Sequence, residues 1–272
     1  MESAANPWLK ELARLRERRG RAKSGVYLVE GLREATRALA GGVDATQLLI
    51  APELVRQPDE AARLRRAVAA AGAEVVTFSA AAFGKFSLRE QPDGVALVAR
   101  SRRTGAVAEL VRPGTLVLVV DGLEKPGNLG AIMRTADAVG VDALLLCGAG
   151  AEGGGTDLEN PNVIRASMGS LFALAVAAGT REEVAAALAA ADLRLVAATP
   201  HAAASYWDAD LTGGVALLLG AESTGLPDWW LQRAQSTVSI PMRGAAADSL
   251  NVSVAGALLL YEALRQRSRL TT

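Results

Sequence analysis

Residues 116–136 read Leu116-Val117-Leu118-Val119-Val120-Asp121-Gly122-Leu123-Glu124-Lys125-Pro126-Gly127-Asn128-Leu129-Gly130-Ala131-Ile132-Met133-Arg134-Thr135-Ala136. The first six residues are short, apolar and β-rich, the composition of a strand buried on both faces. Gly127 and Gly130 let the backbone turn tightly, and a helix over residues 128–139 follows. Asn128 is the expected cap of that helix, because its side chain can accept from free first-turn amides. A buried strand feeding a helix is the repeating unit of a parallel α/β sheet.

The alternation continues on both sides. Downstream, strands are expected at 143–147, 193–199, 215–222 and 237–241. Helices are expected at 181–191 behind Thr180 and at 250–266 behind Ser249. Upstream, helices at 7–19, 32–40 and 59–71 alternate with strands at 26–30, 47–51, 74–78 and 94–100. The polar stretch Ser101-Arg102-Arg103-Thr104-Gly105 is the best boundary in the chain. The expectation is two α/β domains, residues 1–107 and 108–272, built on parallel sheets with helices on both faces.

Composition narrows the function. A single cysteine, Cys147, excludes a disulfide framework or a Cys-based zinc site, and a single histidine, His201, excludes multi-His metal sites. No metal is expected. No apolar run reaches the length of a membrane span, and the polar, basic start has no signal-peptide core, so the expected location is the cytoplasm. The 29 Lys+Arg and 29 Asp+Glu cancel, yet they are unevenly shared. Residues 1–107 hold 18 basic and 12 acidic side chains, leaving the remainder acidic by the same margin. Lys10, Arg14, Arg16, Arg18, Arg19, Arg21 and Lys23 crowd one short segment. Such a run is either a solvated helix face or a surface that neutralises nucleic-acid phosphates.

Several motifs carry little. Gly148-Ala149-Gly150-Ala151-Glu152-Gly153 has the spacing of a dinucleotide loop, but Gly154-Gly155-Thr156-Asp157 cannot open the helix that such a loop needs. A flexible loop is the better reading. His201 follows Thr199-Pro200 at a strand end, where a loop histidine without catalytic duty is expected.

Three segments stand apart: 121–136, already quoted; Leu217-Leu218-Leu219-Gly220-Ala221-Glu222-Ser223-Thr224-Gly225-Leu226; and Ile240-Pro241-Met242-Arg243-Gly244 with Asp248-Ser249-Leu250-Asn251-Val252-Ser253. Each places glycine and one or two polar groups at the carboxyl end of a strand or the start of a helix, so together they suggest one composite site. In this combination and order they resemble the signature motifs of the SpoU/TrmH RNA 2′-O-ribose methyltransferases, within the SPOUT superfamily. Residues 160–172 resemble that family's middle region, and residues 1–105 are similar to the small ribosomal-protein-like domain often fused in front. The glycine-rich Glu152-Gly153-Gly154-Gly155 departs from the pattern.

The resemblance implies a trefoil-knotted parallel sheet in the second domain, S-adenosylmethionine as cofactor, and a homodimer sharing its active site across the interface. It implies Asn128, Arg134, Glu222, Ser249 and Asn251 as catalytic, and Thr199, Gly220, Ile240 and Leu250 as the cofactor pocket. The charge asymmetry makes Lys10, Arg14, Arg16, Arg18, Arg19, Arg21 and Lys23 the expected RNA-contacting set, with Arg165 of the middle region added to it. The implied reaction is methylation of a ribose 2′-hydroxyl, in ribosomal RNA before transfer RNA. A non-catalytic RNA-binding protein with a vestigial knot and a base or protein methyltransferase are the competing readings.

Overall fold

The computed structural model describes residues 7–101, 105–148, 157–244 and 248–269. The loop 149–156, and with it most of the glycine-rich motif, lies outside the described residues. The chain divides into two compact units.

The first unit comprises residues 7–101 and 157–173. In chain order its elements are α1 (Pro7–Arg14), α2 (Arg18–Ser24), β1 (Val26–Glu30), α3 (Leu32–Ala40), β2 (Ala45–Ile50), α4 (Pro58–Ala70), β3 (Glu74–Thr77), α5 (Ala80–Phe83) and β4 (Val95–Arg100). The sheet order is β1-β4-β2-β3. Only β2 and β3 run parallel; β4 is antiparallel to both of its neighbours. The expectation of a parallel sheet therefore fails in this unit. The connection from β3 to β4 holds only the short α5 and returns the chain in the opposite direction. Alternating side chains pack Leu28, Leu49 and Val98 towards α1, and Tyr27, Leu48 and Leu97 towards α3 and α4.

The helix expected at 7–19 is two helices. Gly20 passes so close to the end of α1 that a side chain there would sit 2.0 Å from the Arg14 carbonyl oxygen. The turn is held by Arg21, whose Nη1 donates to the carbonyls of Leu15 at 2.8 Å and Arg16 at 3.0 Å. Its Nη2 pairs with Asp157, which enters this unit from far along the chain. The segment Asp157–Ala173 carries a further helix, Pro161–Ala166, whose Ile164 is buried in the core beside Val29. The boundary expected at 107/108 is thus crossed a second time by the chain.

The second unit begins with α6 (Val107–Leu110), β5 (Leu116–Asp121), α7 (Pro126–Val139) and β6 (Ala143–Cys147). Counting Pro161–Ala166 as α8, it continues with β7 (Val176–Ala178), α9 (Arg181–Ala190), β8 (Arg194–Ala198), β9 (Val215–Leu219), α10 (Asp228–Leu231), β10 (Ser236–Val238) and α11 (Val252–Ser268). The six strands lie in the order β10-β8-β9-β5-β6-β7 and all pair in parallel. All six residues of β5 are buried at the centre, as its unbroken apolar run demands. From β10 at the sheet edge the chain returns to α11, which packs on α7 and β9. Gly256 permits that approach, for a side chain there would lie 3.0 Å from Leu219 Cδ1.

Two helix starts differ from expectation, with consequences for the site. Pro126 opens α7 at its first turn, where the missing N–H is no loss, so Asn128 lies inside the helix and is not its cap. In α11 the cap is Asn251, accepting from the Ser253 amide at 2.9 Å, and not Ser249. The cap of α9 agrees with the sequence: Thr180 and Glu183 form a reciprocal capping box. Among the described residues no helix is long and apolar enough to cross a membrane, and no group of three or more His, Cys, Asp or Glu is placed to hold a metal.

Candidate active site

Asn128, freed from capping, joins the three signature segments. Its Nδ2 donates to Glu222 Oε1, and its Oδ1 accepts from Asn251 Nδ2 at 3.1 Å. Asn251 Oδ1 in turn accepts from the Ser253 hydroxyl at 2.6 Å. Each hydrogen bond points the same way, from Ser253 through Asn251 and Asn128 to the Glu222 carboxylate. Bonds aligned in series polarise one another and fix the amide orientations. Ser253 was not among the sequence candidates; its signal was the two-residue spacing from Asn251, which suits a side chain closing a helix cap.

Beside Glu222 lies a cavity of about 470 Å³ that brings together all four expected cofactor residues: Thr199, Gly220, Ile240 and Leu250. Ser249 also lines it, although no described partner ties it into the hydrogen-bonded chain. Gly220 is sterically required, because a side chain there would sit 2.1 Å from the carbonyl carbon of Gly225. Gly225 itself turns back with φ of +67° and donates to the Ala221 carbonyl at 2.9 Å. The Leu219, Ile240 and Leu250 walls suit a flat aromatic base, and the polar rim suits a charged tail. The volume is that of a small-molecule site. These donors fit a nucleoside-based cofactor such as S-adenosylmethionine. His201, in a turn as expected, also lines the cavity.

Arg134 is not brought to this group. It follows Asn128 by six residues on α7, which places it about 120° around the helix and about 9 Å along it. The side chain is exposed and makes no hydrogen bond or ion pair among the described residues. Arg165 is exposed on α8, in the first unit.

Beneath the signature loops a single buried carboxylate ties four elements. Asp121, the last residue of β5, has a side chain only 2% exposed. It accepts from Arg181 Nε at 2.6 Å and Nη2 at 2.9 Å, at the start of α9. It also accepts from Trp230 Nε1 at 2.6 Å in α10, and Cys147 Sγ lies 3.5 Å away at the end of β6. Burial alone would raise its pKa, but the hydrogen bonds from Arg181 and Trp230 outweigh it and hold the carboxyl below its ordinary range. Burial, reinforced by this neighbouring charge, pushes the Cys147 thiol up, which makes it an unreactive core residue. Nothing local in the sequence joins Asp121 to Trp230, 109 positions later.

The expected basic surface is partly spent on structure. Arg21 is 3% exposed and braces the turn after α1, so it does not offer its charge to a ligand, a correction to its place among the RNA contacts. Arg16 is anchored by Nε to the Phe86 carbonyl at 3.1 Å and by Nη2 to Lys85 and Ser87. Lys10, Arg14, Arg18, Arg19 and Lys23 remain exposed.

With fold and site in view, the comparisons agree. Residues 115–261 match the SpoU rRNA Methylase family, and residues 6–97 match the MRM3-like substrate binding domain. A 23S rRNA (uridine(2479)-2′-O)-methyltransferase of Streptomyces viridochromogenes is 34% identical over 263 residues, covering 94% of this chain and 88% of that one. A crystal structure of an RNA 2′-O ribose methyltransferase aligns with 44% identity and a TM-score of 0.79 over 98% of both chains. The AdoMet-bound rRNA methyltransferase from Sinorhizobium meliloti aligns with 28% identity and a TM-score of 0.86 over 97% of both. The parallel sheet is that of a SPOUT methyltransferase, and the chain belongs to the SpoU rRNA methylase family. It is an S-adenosylmethionine-dependent RNA 2′-O-ribose methyltransferase.

Proposed function

We propose that the chain methylates a ribose 2′-hydroxyl of ribosomal RNA in the cytoplasm, with residues 108–272 as the methyltransferase domain and residues 1–107 as the RNA-binding domain. The observation that carries this reading is the hydrogen-bonded chain from Ser253 to Glu222, built from all three signature segments beside the cavity. The ribosomal target is supported by the named activity of the Streptomyces relative.

S-adenosylmethionine supplies a methyl group on a sulfonium, already activated for displacement. The protein's task is then chiefly alignment, and near-attack positioning is worth several orders of magnitude in rate. Thr199, Gly220, Ile240 and Leu250 hold the cofactor through backbone and apolar surface. Asn128 and Asn251, locked by their mutual hydrogen bond, orient the loops and the ribose, with Ser249 on the cavity wall. Glu222 offers the carboxylate that takes a hydrogen bond from the hydroxyl. Arg134 stabilises the developing alkoxide or grips a neighbouring phosphate by charge. A guanidinium is a donor without an acceptor, so it is not the base.

The test is labelled methyl transfer to total RNA from a host lacking the gene, followed by nucleoside mass spectrometry and mapping. A 2′-O-methylnucleoside in ribosomal RNA is the expected result. A methyl on transfer RNA, or on a base, would overturn the target or the chemistry.

We also infer that two copies associate through α7 and α11. Leu250, just before α11, and Val254, Leu258 and Tyr261 on it recur at helical spacing and are exposed, Tyr261 by 53%. Arg134, exposed on the adjoining α7, has no described partner in its own chain and is suited to completing a second copy's site. A solution mass of 28.1 kDa, that of one chain, would refute this.

The exposed cations of α1 and α2 are the expected phosphate contacts. Replacing Lys10, Arg14, Arg18, Arg19 and Lys23 by glutamine should weaken RNA binding and flatten its salt dependence by about 0.7–0.9 per lost contact in log–log slope. S-adenosylmethionine affinity should not change. An unaltered salt slope would make these side chains mere surface.

A further inference from the structure

The first unit contains a second cavity, about 540 Å³, at the end of the sheet where β1, β2 and β3 begin. One wall is α1, with Trp8 and Leu12, continued by Leu15 just after it; the Trp8 ring is supported from behind by Phe78, 5.3 Å away and nearly parallel. The floor is a single row across the sheet. Val98 lies opposite Gln47, and Gln47 lies opposite Glu74, all on the face that looks towards α1. Gln47 Nε2 donates to Glu74 Oε2 at 2.8 Å. That bond uses one of the two amide N–H groups and leaves Gln47 Oε1 and Glu74 Oε1 as acceptors with no partner among the described residues.

The charges lining the cavity balance. Glu11 and Glu74 stand against Arg14 and Lys23. A phosphate placed inside would face two carboxylates, whereas a neutral, flat, partly apolar group would not. The surplus cations Lys10, Arg18 and Arg19 are exposed on the same two helices, where a sugar–phosphate backbone would run. Single-stranded RNA is commonly held in this way, with the base stacked on an aromatic or apolar surface and its edge hydrogen-bonded.

We propose that this cavity receives one unstacked base of the RNA substrate, guanine in preference to the others. The Watson–Crick edge of guanine presents two adjacent donors, N1–H and the N2 amino group, which match the two free acceptors of Gln47 and Glu74. Adenine and cytosine offer only their amino group on that edge, and uracil only its imide N–H. The proposal rests on the reading of this unit as RNA-binding, and it adds sequence preference to what would otherwise be charge-based affinity.

The test measures fluorescence anisotropy of the full chain with labelled pentanucleotides UUGUU, UUAUU and UUUUU at fixed salt. The expected result is that UUGUU binds about tenfold tighter than UUUUU, the size of one good two-point base contact. Gln47→Leu and Glu74→Gln should each abolish that preference while leaving UUUUU affinity and S-adenosylmethionine binding unchanged. Both side chains are at least partly exposed, so neither change threatens folding. Equal binding of the three RNAs by the wild type, or a preference that survives both substitutions, would overturn the proposal. Loss of binding to all RNAs on neutralising Lys10, Arg18 and Arg19 speaks to the RNA-binding reading alone. So does failure of any RNA to bind the wild type, which would remove the basis of the proposal.

Discussion

Asn128→Ala should abolish methyl transfer, lowering turnover by at least about 100-fold, the cost of removing one preorganised polar group at a reacting centre. The reason lies in its position. Asn128 is the middle of the chain of hydrogen bonds, donating to Glu222 and accepting from Asn251. Alanine leaves both neighbours without their described partner and lets the loop after β9 and the start of α11 relax independently. It removes no wall of the cavity, so S-adenosylmethionine should bind nearly as before by calorimetry. Arg134→Ala should show the same split, through loss of charge and not of alignment. If α7 serves a second copy, the two changes separate further. Arg134→Ala mixed with Glu222→Ala should regain activity, because some mixed dimers then carry one intact site. Near wild-type turnover in the Asn128 variant would sink the assignment of this group as the reacting centre.

The second large effect falls on stability. Asp121→Ala should destabilise the second unit by about 3 kcal/mol, the usual consequence of breaking a buried, hydrogen-bonded ion pair and stranding its partners. Trp230 Nε1 would lose its acceptor inside the core, and Arg181 its only described carboxylate. Asp121→Asn preserves the shape and removes the charge, so it should fall between the two. The pH dependence has a definite sign. The carboxyl is held below its ordinary range in the folded protein. Its contribution is therefore complete above the unfolded carboxylate value and is lost as pH falls through that value to the lower folded one. Urea unfolding between pH 6 and pH 3 should show a steeper acid loss for wild type than for Asp121→Asn. Parallel curves would mean that Asp121 does not carry this linkage.

The two experiments touch the two levels at which sequence reading succeeded and stopped. The strands Val26–Glu30, Leu116–Asp121 and Ala143–Cys147, and helix Leu32–Ala40, have the bounds that their local patterns suggested. Pattern and turn chemistry are local, and so they were legible. The antiparallel β4 was not, because strand direction depends on how the chain returns after β3 and not on the strand's own residues. The capping expectation for Asn128 failed for a similar reason. A capping side chain and one reaching a glutamate 94 positions away look alike until Pro126 is seen to start the helix earlier. Arg21 looked like a surface cation, and only Asp157, 136 positions distant, reveals it as a buried strut. That Thr199, Gly220, Ile240 and Leu250 line one cavity was suggested through resemblance; no spacing rule would have joined Thr199 to Leu250.

The return of Asp157–Ala173 to the first unit bears on how this protein can be taken apart. Cutting after residue 107 yields a fragment that keeps α1, α2 and the sheet but loses the carboxylate for Arg21 and the side chain of Ile164. A desolvated guanidinium and an opened core would then be artefacts of the scissors. The front half matches a substrate binding domain family over residues 6–97, but its compact unit also takes in residues 157–173. Grafting it onto another enzyme, or screening RNA against it alone, would require carrying residues 157–173 along, on a linker that replaces everything between.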